Sequence, residues 1–335
     1  MSFLLNIQEW ESYLSSLLND YLIYAPIRID KFSDFKVIEN NFKDIVYNSA
    51  KTITSLKNFL FPIKEKVTNI PPHKNLIIIG AKACDLVGLD ILDKVFLEPE
   101  FPDPYYNFRR ENILIIGTDC YEIDESCHCN IYGINPYPER NCDLILNLID
   151  DRIFLESLSK KGEKFISNLK KELKIQDADE KVINKIENKR NDIKQKLQEK
   201  NKSIPDYDTT RDILKNSIGK KDKVWKEYAE KCVACGACSI CCPTCHCFIL
   251  LDIPDNGLME KIRSQDSCQY PGFEKVAAGI DPLEKHFVRF RNRYICKFIN
   301  RPEKFDTIAC TGCGRCIDTC IGKINKNDVI KSLAQ

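Results

Sequence analysis

Histidine and methionine are scarce: 335 residues hold four and two. A metal site in this chain must therefore be built mostly from other donors. No apolar run approaches the roughly 20 residues that span a bilayer; the longest are short, such as Leu76 to Gly80. Neither charge is in excess, with 50 Lys+Arg against 49 Asp+Glu and a formal net charge of +1. Such a balance indicates neither a nucleic-acid-binding face nor an acidic tail. The opening MSFLLNIQEWESYLSSLL lacks a basic region and carries Glu9 and Glu11 early. It reads as an amphipathic helix opening a cytoplasmic domain rather than a secretory leader. No G-x-G-x-x-G fingerprint and no Walker loop occurs, so no dinucleotide or ATP site is expected on this chain.

Cysteine, by contrast, is abundant: eighteen residues, many separated by only two others. Without a secretory leader, that spacing points to metal or redox chemistry rather than a disulfide framework. The thiols are unevenly placed, with thirteen of the eighteen beyond residue 226.

Three regions follow from the patterning. Residues 1–155 read as an α/β domain with a short, mostly parallel sheet. Its buried strands are NLIIIG (75–80) and NILIIG (112–117), apolar on both faces as a covered sheet requires. Helical spacing recurs over 85–96 and roughly 36–60, and the Pro-, Asp- and Tyr-rich stretch 97–108 reads as a loop. Residues 156–225 form a charged helical segment without cysteine. Apolar residues at Ile166, Leu169, Leu173, Ile183, Ile186, Ile193 and Leu197 predict two helices, broken near Gln176–Asp179. Such a hairpin is either a solvated face or a docking arm for a partner protein. Residues 226–335 read as a ferredoxin-like α+β domain.

Cys232, Cys235, Cys238 and Cys242 form C-x2-C-x2-C-x3-C followed by Pro243, and Cys310, Cys313, Cys316 and Cys320 repeat that spacing. Two such runs mark a two-cluster ferredoxin module, in which the fourth cysteine of each run ligates the other cluster. Cys232, Cys235, Cys238 and Cys320 are thus expected to hold one [4Fe–4S] cluster, and Cys310, Cys313, Cys316 and Cys242 a second. The second run continues with Ile321 where the pattern has proline, which affects the local turn and no ligand. Four-thiolate zinc is the rival, and three cysteines at successive two-residue spacings, twice over, disfavour it.

Two further sets of four thiols complete the expected inventory of up to four clusters. Cys84 follows the first strand in GAKACD and Cys120 follows the second in GTDC, with Cys127 and Cys129 close behind in SCHC. If the strands are parallel neighbours, both cysteines leave the sheet at its carboxyl edge, where open α/β sheets place ligands. A zinc site including His128, or a group of unrelated thiols, are the competing readings. Cys245, Cys247, Cys268 and Cys296 make the other set, with His246 or His286 able to replace one thiol. Its competitor is a group of buried free cysteines acting as small hydrophobes. Cys142 and Cys241 are left over.

CVACGACSICCPTCHC, then DSC, then CTGCGRC, with GAKACDL, DPYYNFRREN and DC…CHC before them, resemble the β subunit of archaeal sulfhydrogenases and the 4Fe-4S dicluster electron-transfer subunit of anaerobic sulfite reductases. The resemblance covers about residues 70–150 and 226–320, and Lys82 stands where that family often has arginine. It implies a subunit that relays single electrons between a flavin/nicotinamide-binding partner, where FAD and NAD(P) are held, and a catalytic partner of hydrogenase or sulfite/sulfur reductase type. An alternative is a reductase whose own cluster binds substrate, with Asp85, Asp119, His128 and His246 near the candidate ligands as proton carriers.

Overall fold

The two isoleucine runs are adjacent parallel strands at the centre of an eight-stranded sheet. The computed structural model describes residues 2–68, 75–255 and 257–335. Its strands are β1 (Ser2–Asn6), β2 (Tyr21–Ile29), β3 (Phe32–Val37), β4 (Lys64–Lys66), β5 (Asn75–Ala81), β6 (Ile113–Thr118), β7 (Leu144–Ile149), β8 (Arg152–Ser157), β9 (Gln176–Asp177), β10 (Phe248–Asp255) and β11 (Leu258–Gln265). Helices α1 (Ile7–Ser16), α2 (Lys57–Leu60), α3 (Ala83–Phe96), α4 (Pro104–Asn112), α5 (Lys160–Glu172), α6 (Glu180–Asn201), α7 (Tyr207–Ser217), α8 (Asp222–Ala229), α9 (Ala237–Ile240), α10 (His286–Ile295), α11 (Arg301–Phe305), α12 (Arg315–Asp318) and α13 (Lys326–Ala334) complete the chain.

The large sheet runs β3-β2-β5-β6-β7-β8-β1-β9. Strands β2, β5, β6 and β7 are parallel, and antiparallel strands flank them on both sides. Side chains alternate across it as strand geometry demands. Ile77, Ile79, Leu114 and Ile116 pack with Trp10, Leu14 and Phe165 of α1 and α5. Ile78, Ile113 and Ile115 pack on the other face with Leu86, Leu89, Leu92 and Tyr106 of α3 and α4. Two covered faces explain why these strands are apolar throughout.

Four stretches depart from their sequence pattern, the first being the opening one, where Ser2–Asn6 form β1 and the helix begins only at Ile7. Phe35, Ile38, Phe42 and Ile45 do recur at helical intervals and are all buried. The chain nevertheless delivers them as the end of β3, a turn and a short 3-10 turn, tied down by bridges Ile27–Ile45 and Ser33–Thr52. Within 97–108, Asp103-Pro104 is not a loop signal but a helix start. The Asp103 carboxylate accepts from the Tyr106 amide at 2.8 Å, with proline at the first helical turn. The charged segment does break between α5 and α6, but the break holds β9, which pairs with β1. Its helices lie on the sheet: Phe165, Ile166 and Leu169 enter the main core, and Val182 and Ile186 pack with Leu4, Ile149 and Phe154.

In the C-terminal part, β10, β11 and β4 form a small antiparallel sheet, so a strand from the first hundred residues is part of it. Trp225, Phe290, Tyr294, Phe298, Val329 and Leu333 gather a separate core from α8, α10, the turn after α10, and α13. The two halves are joined by a buried ion pair. Arg315 donates to both carboxylate oxygens of Asp85 at 2.8 and 2.7 Å, and to the Thr52 carbonyl at 2.8 Å. Both side chains are essentially inaccessible, 2% and 0% exposed. Removing one partner strands a buried charge, so Arg315→Ala or Asp85→Ala should lose about 3–5 kcal/mol. Urea denaturation of the full chain checks this, and an Asp85→Leu/Arg315→Met double variant is expected to recover most of the loss.

Candidate iron–sulfur centres

The two cysteine runs fold as copies of one loop. Ala234 and Gly312 occupy the position before the second cysteine with φ of 52° and 63°, and Gly236 and Gly314 the position after it with 72° and 79°. Each loop then enters a four-residue helix, α9 or α12, capped at its start by that left-handed glycine. The fourth cysteine follows each helix, its amide reaching back to the Ser239 or the Ile317 carbonyl at 3.3 Å in both cases. Left-handed residues within a turn are the backbone feature from which anion-binding nests of N–H groups are built.

The structure brings thiols of the two runs together. Cys242 lies with Cys310, Cys313 and Cys316 around one small cavity, with Arg293, Lys297 and Lys326 in its walls. Cys232 has Cys320 and Cys235 as thiol neighbours, and Cys238 has Cys316, Cys268 and Cys232.

The carboxyl edge of the large sheet gathers the third set. Because β5 and β6 are parallel neighbours, α3 starts with Cys84 beside the chain that leaves β6 through Cys120. Cys84, Cys120, Cys127 and Cys129 all line a small cavity, together with Gly312 and Cys313 of the second run. The contact between the loops is close. The His128 amide donates to the Gly312 carbonyl at 2.9 Å. A Cβ on Gly312 would stand 2.5 Å from the His128 carbonyl oxygen, and one on Gly314 would collide with that of Ser126. Helix α6 covers the far side. Lys200 donates to the carbonyls of Asp124, Glu125 and Cys127, and Asn201 to that of Cys127.

Of the fourth set, the β10–β11 hairpin, through its Phe248–Gln265 pair, sets Cys247 opposite the loop bearing Cys268. The Asp266 amide donates to the Cys247 carbonyl at 2.9 Å. Cys247 has Cys268 and Cys296 as thiol neighbours, whereas Cys245 hydrogen-bonds Cys242. Arg301 stands among them, donating to Cys296 Sγ at 3.0 Å and to Cys247 Sγ at 3.7 Å. The leftover thiols go elsewhere. Cys142 packs in the core beneath α3, and Cys241 meets the Thr319 hydroxyl at 3.4 Å.

Among the described residues, no three His, Cys, Asp or Glu side chains are drawn tightly enough together to hold a single metal ion. Four thiols nevertheless line one cavity and five the other, with Cys313 common to both. Soft donors spaced around a volume suit a multi-iron cluster better than one zinc ion.

Electrostatics separates the thiols. Burial pushes Cys120 and Cys313 up to about 12 and Cys238 up to about 11. Cys242 goes the other way, lowered by a hydrogen bond from Cys245 and by the Lys297 ammonium 3.3 Å from its sulfur. The proposed proton carriers are already engaged. Asp85 is held by Arg315, Asp119 by Arg190 at 2.7 Å, and His246 Nδ1 by Arg301 at 2.9 Å. His128 Nδ1 faces the Ser126 carbonyl at 2.6 Å, and burial lowers its affinity for a proton. The cations were not legible as a group in the sequence. The available signals were Arg315 inside G-R-C and Lys297 directly after Cys296.

A thiol that holds its proton more tightly folded than unfolded favours folding fully below its ordinary pKa, 9.0 here, and loses that contribution as pH rises through the folded value. The metal-free chain should therefore lose stability between pH 9 and about 12, through Cys120 and Cys313 among others. Thermal unfolding across that range tests this, and the cluster-loaded chain, its thiols already deprotonated, should show a shallower decline.

A family model for a 4Fe-4S dicluster domain matches residues 231–324. Over 322 residues the chain is 31% identical to the Sulfhydrogenase 2 subunit beta of Pyrococcus furiosus, covering 93% of this chain and 92% of that one.

Proposed function

The chain belongs to the sulfhydrogenase β-subunit family, and from that premise we propose that it relays single electrons between a partner subunit holding FAD and NAD(P) and a catalytic partner of hydrogenase or sulfite/sulfur reductase type. The observation that carries this reading is the contact between thiol sets. Cys313 and Gly312 of the second run form part of the wall around Cys84, Cys120, Cys127 and Cys129. Within the ferredoxin module, Cys238 and Cys316 both act on the buried Arg293. The second run and the rim set thus share a wall, as a relay requires. Among the described residues, no helix is long and apolar enough to cross a membrane.

The expected ligands are those of the four thiol sets, Cys245 being the member that faces a neighbouring set. Iron–sulfur clusters supply reversible one-electron storage without bond making. The chain's own contribution is to fix the thiolates, exclude water and set the charge around them. Buried cations near the sulfurs and loops with left-handed residues do this.

Iron and acid-labile sulfide, measured on full-length protein purified without oxygen, test the assignment. About sixteen irons per chain are expected if all four sets are filled, and about eight if only the ferredoxin pair is. Cys127→Ala should remove about four irons while leaving the ferredoxin-type EPR signals in place. A zinc-loaded, colourless chain would sink the relay reading.

A further inference from the structure

Four cations recur at four-residue intervals on one long helix: Arg289, Arg293, Lys297 and Arg301. In a plain α-helix, each four-residue step overshoots a full turn by about 40°. Such a row would wind away from any one face by its third step. Here the helix is not plain. Between α10 and α11, Cys296–Asn300 is a π-helical turn. A wider turn advances by fewer degrees per residue and takes back part of that drift. The cations consequently stay against the cysteines along the helix.

Their neighbours run in order. Arg289 is buried and bonded to the carbonyls of Gln269, Leu283 and Glu284, which anchors the loop that bears Cys268. Arg293 borders the cavity of Cys242 and Cys316, and its Nε is buried without a hydrogen-bond partner. Lys297 donates to Cys242 Sγ at 3.3 Å and to the Thr244 hydroxyl. Arg301 donates to Cys296 Sγ at 3.0 Å, to Cys247 Sγ at 3.7 Å and to the Thr244 carbonyl at 2.9 Å. Arg291, on a different face of the same helix, pairs instead with Asp222 at 3.2 Å.

Resting on the relay reading, we propose that Arg293, Lys297 and Arg301 are positioning residues. They form a cationic spine that raises the reduction potential of the clusters alongside it, and the π turn keeps that spine in register with the thiol sets. Each reduction brings one electron into a thiolate cage and forms no bond, so one negative charge is added. A fixed cation within hydrogen-bond distance of a ligand sulfur favours that added charge, and burial leaves it little screened. A spine of this kind makes neighbouring clusters accept electrons from the same donor.

Redox titration followed by EPR, on full-length chain loaded with iron and sulfide, decides the matter. Lys297→Gln should shift the midpoint of one ferredoxin-type cluster to lower potential. Lys297→Arg should restore it, and Arg291→Gln should leave every midpoint in place. EPR sees only loaded clusters, so partial loading of Lys297→Gln leaves its midpoint readable. Arg301→Gln reads the other end of the spine, lowering the midpoint of the cluster at Cys247 and Cys296. Unchanged midpoints in both Gln variants, or an equal shift in Arg291→Gln, would overturn the spine. Wild-type protein that carries no EPR-active iron would instead overturn the relay reading itself.

Discussion

Everything at the junction of the two halves depends on one guanidinium–carboxylate contact. Arg315 lies between two cysteines of one loop, Asp85 directly after a cysteine of another, and the pair is dry. Two parallel N–H···O bonds fix distance and orientation at once, which a single point contact would not. The glycines at 312 and 314 then let the backbones close to within van der Waals range of 126–129. Lys51 adds a second tie, reaching Asp124 at 2.6 Å and Asp318 at 3.0 Å. A buried ion pair contributes little net stability against an apolar substitute, but it tolerates only one arrangement. Here that arrangement sets one cluster loop against the next.

The C-terminal region was legible because its chemistry needs a rigid spacing. Two copies of C-x2-C-x2-C-x3-C prescribe backbone shape as well as ligands, and Ala234 takes the same left-handed φ as Gly312 without being glycine. The rim site was legible for a different reason: doubly apolar strands imply parallel neighbours, and parallel neighbours share a carboxyl edge. What did not show were contacts between residues far apart in the chain. Nothing near Lys200 reveals that it caps the carbonyls of 124, 125 and 127. Polar helix positions look alike whether they face water or a backbone. The 36–60 stretch misled because buried residues every third or fourth position also arise when an irregular chain skirts a core.

Among the thiols, the least decided by pattern was Cys245. By spacing it pairs with Cys247, yet its hydrogen bond goes to Cys242. A C-x-C unit directs its two side chains apart when the chain between them is irregular rather than extended, since only a strand returns every second residue to one face. Here the second thiol leads into β10 while the first stays with the ferredoxin run. Its placement between two sets is a product of local chain direction rather than of ligand count.

The first strand has a reach out of proportion to its length. β1 is bonded on one side to β8 and on the other to β9. The pairing with β9 fixes where α6 begins, and α6 ends on the carbonyls of the Cys127 loop while Leu197 lines the adjoining cavity. Five residues at the start of the chain thereby act as a hinge pin for a lever about 30 Å long by helical rise. Shortening the N-terminus frees that lever at its fulcrum. The Cys127 loop would then lose the carbonyl contacts that Lys200 and Asn201 supply.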